Sequence, residues 1–504
     1  MGVSVTTTKQ GFETINSFKI EGVDEEIFVL SDPPHLLKNM RNALFNNGEF
    51  TIHDKYVNEL EEELQMQLPS NKVKFEHIKR LVEFQEERQL KICPHLSHCD
   101  IDIGKYGKMK VKYAKHVLSR ETAAALKLAV EKYPDEFPVE ALTTSIFCEK
   151  VGKYYDHMTC RGVGLAFSNL HPEKLQQAFD YMEWFVGFYT SISIGKKHRG
   201  GQSLKPTQRG IIMATTSMID LAKFMLKQEG VKFLRPGMVS NDPIENFHGS
   251  VRSRNKKPTC LNFMRITKAI CMCQCLDGPA NGSYDQDDVS DSIFTDIKAL
   301  KEAKEHLDWE KVQQENEAAL GDVAAKEDLE FTNLMVDGDD DISEICALSY
   351  LTGYLLRKTI CTQSKCEKCK TAFVADEHDE QMTNELIRLR DYKKGALCRP
   401  TEIGNKMFQV AEKVFRHLQE KLIYQKKSRL GDKIASAIIL QWKENFPQVP
   451  SCHFKTMANR FSKIRLLFYG AYSSHQLELA QKEKLVGASH ASQCTVPIHA
   501  PNMK

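Results

Sequence analysis

No stretch of this 504-residue sequence approaches the ~20 apolar residues needed to cross a bilayer. Met1 is not followed by the apolar segment of a secretory leader. No membrane partner is therefore expected. A large charge of one sign is also missing: 69 Lys and Arg stand against 67 Asp and Glu, leaving a formal net charge of +2. Any nucleic-acid binding must come from local basic patches rather than bulk charge. The 15 cysteines are odd in number, scattered and unaccompanied by a secretory signal. They point to reduced thiols in the cytosol or nucleus, with room for one metal cluster. A Gly-x-x-x-x-Gly-Lys-Ser/Thr loop is absent, which excludes P-loop nucleotide binding. There is no internal repeat, and the length predicts two to four domains of roughly 100–200 residues each.

What is present is mostly helical periodicity. "EEIFVL" reads as a short strand, and "HLLKNMRNALFN" as a helix with Leu36, Leu37, Met40 and Leu44 on one face. Residues 55–90 read as charged helix and residues 105–190 as wholly helical. "IGKKHRGGQSLKPTQRG" breaks the pattern before the helices "IIMATTSMIDLAKFMLKQEG" and "IENFHGSVRS". Residues 282–344 turn acidic and poor in aromatics, predicting a solvated linker around a charged helix near 297–319. A helical body follows over 345–480, and the last ~20 residues lack periodicity.

"SDPPHLLKNMRN" supports two readings. Asp32 can be a helix N-cap, its carboxylate accepting from orphan first-turn N–H groups, with proline welcome at the first helical position. It can also be a carboxylate at the mouth of a strand-to-helix junction, where open α/β folds place their chemistry. The second reading needs partners, since two-metal phosphoryl chemistry uses several carboxylates. "SNDPIENFHGSVRSRNKKPT" offers Asp242 and Glu245, three apart, followed by Arg252, Arg254, Lys256 and Lys257. This pair is equally explained as a capping arrangement with Asp242 at the cap.

The two motifs together resemble the P element-type transposases, including their THAP-type relatives in vertebrates. "DPPHLLKNMRN" is similar to that family's D-x-P-H-L-L-K-N-x-R-N signature. "SNDPIENFHGSVRS" is similar to its N-Q-D-x-L-E-x-F-F-x-x-I-R stretch. "KMKVKYAKHVLSRETAAAL" resembles its helical insertion domain. "YLTGYLLRKTICTQSKCEKC" and "FKTMANRFSKIRL" resemble its C-terminal region. The matches run in order over most of residues 20–470. The resemblance implies an RNase H-like α/β catalytic core split by an all-helical GTP-binding insertion domain and followed by a mainly helical C-terminal domain, predominantly α overall. The implied division is core over 1–50 and 205–281, insertion domain over 51–204, linker over 282–344, C-terminal domain over 345–480 and tail over 481–504. It further implies a DNA transposase in the nucleus that uses Mg²⁺ or Mn²⁺, with DNA ends and GTP as partners and homo-oligomers expected. Asp32 would be the second aspartate of the catalytic triad and Glu245 its glutamate. Lys110, Val111, Ser119, Asp156 and Asp242 match the GTP-pocket positions, with Lys110 pairing with phosphate and Asp242 accepting from guanine. "YYDHMTCR" departs from the family's D-x-L-N-S-R by placing Thr159 where an Asn is expected, which puts one polar contact in doubt.

The family's first catalytic aspartate has no counterpart upstream of Asp32, where only Glu13, Glu21, Asp24, Glu25 and Glu26 carry carboxylates. No Cys-x₂₋₄-Cys pair precedes residue 148 to serve as its zinc-bearing DNA-binding domain. The expectation is an N-terminally truncated transposase with little strand-transfer activity of its own. The alternative is a non-catalytic, transposon-derived repressor or assembly protein. Cys93 to Cys99, with His95 and His98, reads as loop thiols and histidines rather than a metal cluster. Cys366 and Cys369 form a Cys-x-x-Cys pair preceded by Cys361; Cys398, Cys452 and His453 are distant candidates, and a structural zinc through Cys366, Cys369, Cys452 and His453 is the expectation, with free buried thiols as the alternative.

Overall fold

The computed structural model describes residues 4–8, 11–22, 26–102, 104, 107–195, 204–273, 341–376, 381–392, 395–423, 430–470 and 472–473. Of residues 242, 243, 272, 273 and 420–423 it describes the backbone alone. The acidic linker helix near 297–319 and the tail at 481–504 lie outside the described residues. The chain divides into two compact units, one of residues 1–85 and 93–307, the other of residues 86–92 and 308–504.

The first unit opens with β1 (Ser4–Thr8), β2 (Gly11–Ile15), β3 (Ser17–Lys19) and β4 (Glu26–Phe28). β1 pairs antiparallel with β2, and β3 with β4. Asn16 joins β2 to β3, and its carbonyl accepts from Val29 N at 2.7 Å, prolonging the second hairpin. Helix α1 (Pro33–Asn47) follows. Its apolar positions Leu36, Leu37, Met40 and Leu44 are all buried, as their spacing predicts. Each such burial contributes about 2 kcal/mol relative to exposure. Gly48, at φ +76°, ends the helix with its N–H on Leu44 O, a conformation that glycine adopts without steric penalty.

β5 (Glu49–Thr51), α2 (Asp54–Leu64), β6 (Lys72–Lys74) and α3 (Phe75–Glu86) come next. β5 sits between β6 and β8 (Ser193–Ile194) in an antiparallel three-stranded sheet. Residues 55–90 are therefore not one helical stretch. Phe50 and Val73 are wholly buried, and that burial favours a short strand pair over a continued helix. Then come α4 (His98–Ile101), α5 (Val111–Val117), α6 (Arg120–Lys132), α7 (Ala141–Met158) and α8 (Pro172–Ser191). Residues 159–171 leave the helical pattern, including β7 (Phe167–Ser168), because Gly, Asn and Pro punctuate "CRGVGLAFSNLHP". The core here is aromatic: Tyr154 stacks on Phe185 at 4.2 Å, and Phe147 meets Phe50 edge-on at 5.9 Å.

α9 (Pro206–Met225) starts where Gln208 Nε2 donates to Thr190 O at 3.0 Å near the end of α8. It binds the N-terminal strands through Asn16 Nδ2 to Asp220 Oδ2 at 2.7 Å and Ser217 Oγ to Val29 O at 2.6 Å. β9 (Phe233–Leu234) pairs with β7, and α10 (Asp242–Arg254) and α11 (Cys260–Cys273) complete the unit's described helices. All strand pairs among the described residues are antiparallel. The mixed sheet of an RNase H-like core, which needs parallel strands joined by crossovers, is not assembled among them.

In the second unit, α12 (Ile342–Leu356) runs into a π-helical stretch, Arg357–Ser364. It is followed by α13 (Glu367–Phe373), α14 (Glu385–Arg390), α15 (Glu402–Ile423), α16 (Leu430–Asn445) and α17, residues 454–470. Trp442 is fully buried, with Phe408 at 5.2 Å and Phe454 at 5.3 Å, and its Nε1 donates to Met407 O at 2.6 Å. Arg465, also fully buried, donates to both oxygens of Glu412 at 2.5 and 2.7 Å. A guanidinium can be buried in this way because its fork matches a carboxylate.

Candidate functional site

After β4 the chain stays extended to Asp32, which caps α1 with Pro33 and Pro34 in the first turn. Asp32 Oδ2 accepts from His35 N at 3.3 Å and lies 2.5 Å from His35 Nδ1. The other oxygen, Oδ1, accepts from Asn241 N at 3.1 Å, across 209 positions of sequence. The Asp32 side chain is only 7% exposed. Burial alone would raise its pKa, but the hydrogen bonds from His35 and Asn241 and the charge of the His35 ring hold it below the usual carboxylate range.

Asn241 is the cap of α10, one residue earlier than the Asp242 cap expected from the sequence. Pro243 falls in the first turn, and Glu245 N donates to Asn241 O at 2.9 Å. The Asp242 side chain lies outside the described residues. Glu245 is half-exposed, with Arg252 at 3.9 Å. Lys38, on α1, lies in the field of both acids. Its burial lowers the ammonium pKa, whereas the charges of Glu245 and Asp32 oppose that fall. The structure thus brings the two carboxylate motifs to one junction between the starts of α1 and α10, with a lysine charge set against both.

The loop before α10 is fixed by Gly237. Its N–H donates to Cys160 O at 2.9 Å, and a side chain there would meet Arg161 Cγ at 2.6 Å. The chain just after α7 thereby meets the Pro236–Val239 turn that leads into α10. On α7, a Cβ at Gly152 would stand 2.9 Å from Arg120 N. That close approach seats the start of α6 on α7. It places Arg120 Nη1 3.6 Å from Asp156 Oδ2, one turn beyond Gly152. Burial raises the Asp156 pKa more than Arg120 lowers it. Burial, with Lys153 and Arg120, pushes His157 down to about 4.

Of the expected nucleotide positions, Ser119 caps α6. Its Oγ accepts from Thr122 N and donates to His116 O, both at 3.0 Å. Ser119 and Asp156 therefore flank Arg120. Val111 is a buried core side chain, so only its backbone could face a ligand. Lys110 is exposed, and its Nζ turns to Tyr113 OH at 3.3 Å.

The cysteines of the second unit converge. Cys366 precedes α13 directly and Cys369 lies in its first turn, while Cys452 and His453 immediately precede α17. Cys369 Sγ is 3.1 Å from Cys452 Sγ and 3.3 Å from His453 Nδ1. Cys366 and Cys452 lie 3.9 Å apart, and Cys452 Sγ is 3.2 Å from His453 Nδ1. All four donor atoms fall within 4.8 Å of one another. In "CPHLSHC", by contrast, Cys93 turns into the core beside Thr122, and His98 and Cys99 lie in the helix α4 rather than in a loop.

The family model for the TNP-like, GTP-binding insertion domain matches residues 34–166. The model for the DNA transposase THAP9, C-terminal domain, matches residues 331–467. The Transposable element P transposase of Drosophila melanogaster is 23% identical over 483 residues, 92% of this chain and 55% of that protein. The chain is a P element-type transposase relative. It spans about half the length of the curated relative it matches. A solved structure, the Drosophila P element transposase strand transfer complex, aligns with a TM-score of 0.41 and 21% identity. That alignment covers 52% of this chain and 55% of the other.

Three residues of this transposase relative were not singled out from sequence: Lys38, Asn241 and Arg120. Lys38 stands six residues after Asp32 in the quoted signature, and Arg120 directly follows Ser119, so proximity to named positions was an available signal. Asn241 acts through its backbone N–H, which side-chain identity does not reveal.

Proposed function

We propose that this chain acts in DNA transposition of the P element type, supplying carboxylates to an RNase H-like catalytic centre whose sheet the described residues do not themselves assemble. Asp32 and Glu245 would supply two of the carboxylates that hold Mg²⁺ or Mn²⁺. The observation that carries the reading is the hydrogen bond from Asn241 N to Asp32 Oδ1, which joins two motifs 209 positions apart. The donor set suits a hard divalent cation as part of its oxygen shell, and the Lys38 ammonium already lies in the field of both acids. When bound, such an ion polarises a phosphodiester and stabilises its leaving oxygen.

The chain's own groups do the rest. Asp32 is held rigidly by three donors, of which the His35 side chain is 41% exposed and able to swing away. Arg252, Arg254, Lys256 and Lys257 are exposed along and just after α10 and would bind the DNA backbone as counter-charges. GTP would bind the helical insertion domain around Lys110, Val111, Ser119 and Asp156, with Asp242 as a guanine acceptor.

Iron-directed cleavage tests the carboxylate site without requiring turnover. The full chain is loaded with Fe²⁺ and ascorbate, and the backbone cuts are mapped. Cuts near Asp32 and near Glu245 are expected, suppressed by Mg²⁺ and lost in Asp32→Asn and Glu245→Gln. Cuts confined to other segments, or insensitive to both substitutions, would overturn the proposal.

A further inference from the structure

We infer that Cys366, Cys369, Cys452 and His453 form a closed structural zinc site that ties the start of α13 to the start of α17. This inference rests on the second unit alone and does not depend on the transposition reading.

A tetrahedral zinc with Zn–S of about 2.3 Å and Zn–N of about 2.0–2.1 Å sets its ligands roughly 3.5–3.8 Å apart. Four of the six donor separations run from 3.1 to 3.9 Å, and all six lie within 4.8 Å. They bracket that spacing with no ion imposing it. Three sulfurs and one imidazole nitrogen form a donor set that selects zinc over the hard cations. An iron–sulfur cluster would ordinarily draw four cysteines. Four protein ligands leave no open position, so the site is structural rather than catalytic.

Local structure explains how the ligands meet. The π-helical stretch ends at Lys365, which adopts a left-handed φ of +47°. That turn reverses the chain so that Cys366 lies just before α13 and Cys369 within its first turn. Cys452 and His453 are consecutive and lie just before α17. The pairs are 83 to 86 positions apart for the measured contacts. A metal closing so long a loop removes substantial freedom from the unfolded chain. Cys369 is buried and Cys452 exposed, so the site has an inner anchor and a solvent-facing side through which an ion can arrive.

A disulfide is the main rival. Cys369 and Cys452 are 3.1 Å apart, well beyond the bond length of about 2.05 Å. A bond between them would also leave Cys366 and His453 gathered for no purpose.

The test uses the full chain, expressed with zinc in the medium and purified under reducing conditions. Elemental analysis should find one zinc per chain, and Cys369→Ser and Cys452→Ser should lose it. Should those variants fail to fold, the unaltered chain still decides the matter. Replacing the metal with Co²⁺ should give a thiolate-to-cobalt charge-transfer band and the intense visible bands of tetrahedral cobalt. Hydrogen exchange over residues 366–373 and 452–457 should speed up on chelation. Zinc at background level, a cobalt spectrum without charge transfer, or a Cys369–Cys452 disulfide in the reduced preparation would each overturn the assignment.

Discussion

Replacing Asp32 by alanine removes the His35 ring contact and two backbone hydrogen bonds, and the sum of those two can be worked out. The first is the α1 cap on His35 N, worth about 1 kcal/mol. The second is a charged acceptor for Asn241 N, nominally about 1.5–3 kcal/mol. Water can replace part of the second, because Asn241 is exposed. A net local loss of about 2 kcal/mol follows, or roughly thirty-fold faster amide exchange. Hydrogen-exchange mass spectrometry should find it in both the first turn of α1 and the segment around Asn241. Asp32→Asn keeps one carbonyl acceptor and should change exchange only a few-fold, yet it should abolish iron-directed cleavage as completely as alanine does. The pH dependence has a definite sign. Asp32 has a folded pKa below its ordinary 3.8. Its contribution is therefore fully present above pH 3.8 and fades as the pH falls through the lower folded value. Unchanged exchange at both segments in the alanine variant would refute this account. So would an asparagine variant as disruptive as alanine.

Gly152→Ala should destabilise the first unit by about 1–3 kcal/mol through overpacking, although alanine is the better helix former. The added methyl would stand 2.9 Å from Arg120 N and 3.2 Å from Ser119 C, and backbone cannot yield cheaply. A fluorescent GTP analogue should bind this variant more weakly, since Ser119 and Arg120 move; an unchanged or raised melting temperature would contradict the packing argument. His157, pushed down to about 4, stays neutral in the folded chain where the unfolded chain would take a proton. Stability should therefore fall as the pH drops from about 6.5 towards 4. His157→Gln should flatten that slope in denaturation curves, and an identical slope would remove His157 as its source.

Much of the fold was legible because it is written locally. Helix α1 announces itself through Asp32, two prolines and four apolar residues on one face, and every one of these does what its type predicts. The strand Lys72–Lys74 was not legible, since Lys-Val-Lys carries one apolar residue and owes its form to Phe50 on β5. The sequence does not decide the cap of α10 to the residue, because Asn241 and Asp242 are both good caps. The zinc ligands could be named as two pairs, but their meeting depends on Lys365 and on packing across more than 80 positions. For Lys38 the signature gives only nearness to Asp32; the charge of Glu245 reaches it through the fold, from far along the chain.

Capping and cation binding are compatible roles for Asp32 in this geometry. A carboxylate that is free to rotate must give up that freedom to bind an ion. Asp32 has already given it up, because His35 N and Asn241 N fix its two oxygens from different helices. Each oxygen has a second lone pair, and the acid remains ionised because the same hydrogen bonds depress its pKa. The cap therefore aims and charges the group that a divalent ion would use. Among the described residues, the side chain set against Asp32 Oδ2 is that of His35, which an arriving ion would displace. The two roles should separate under substitution: His35→Ala should leave the α1 cap intact, because the backbone N–H remains, and should raise Mn²⁺ affinity. Loss of Mn²⁺ binding in that variant would mean that His35 holds the ion rather than its place.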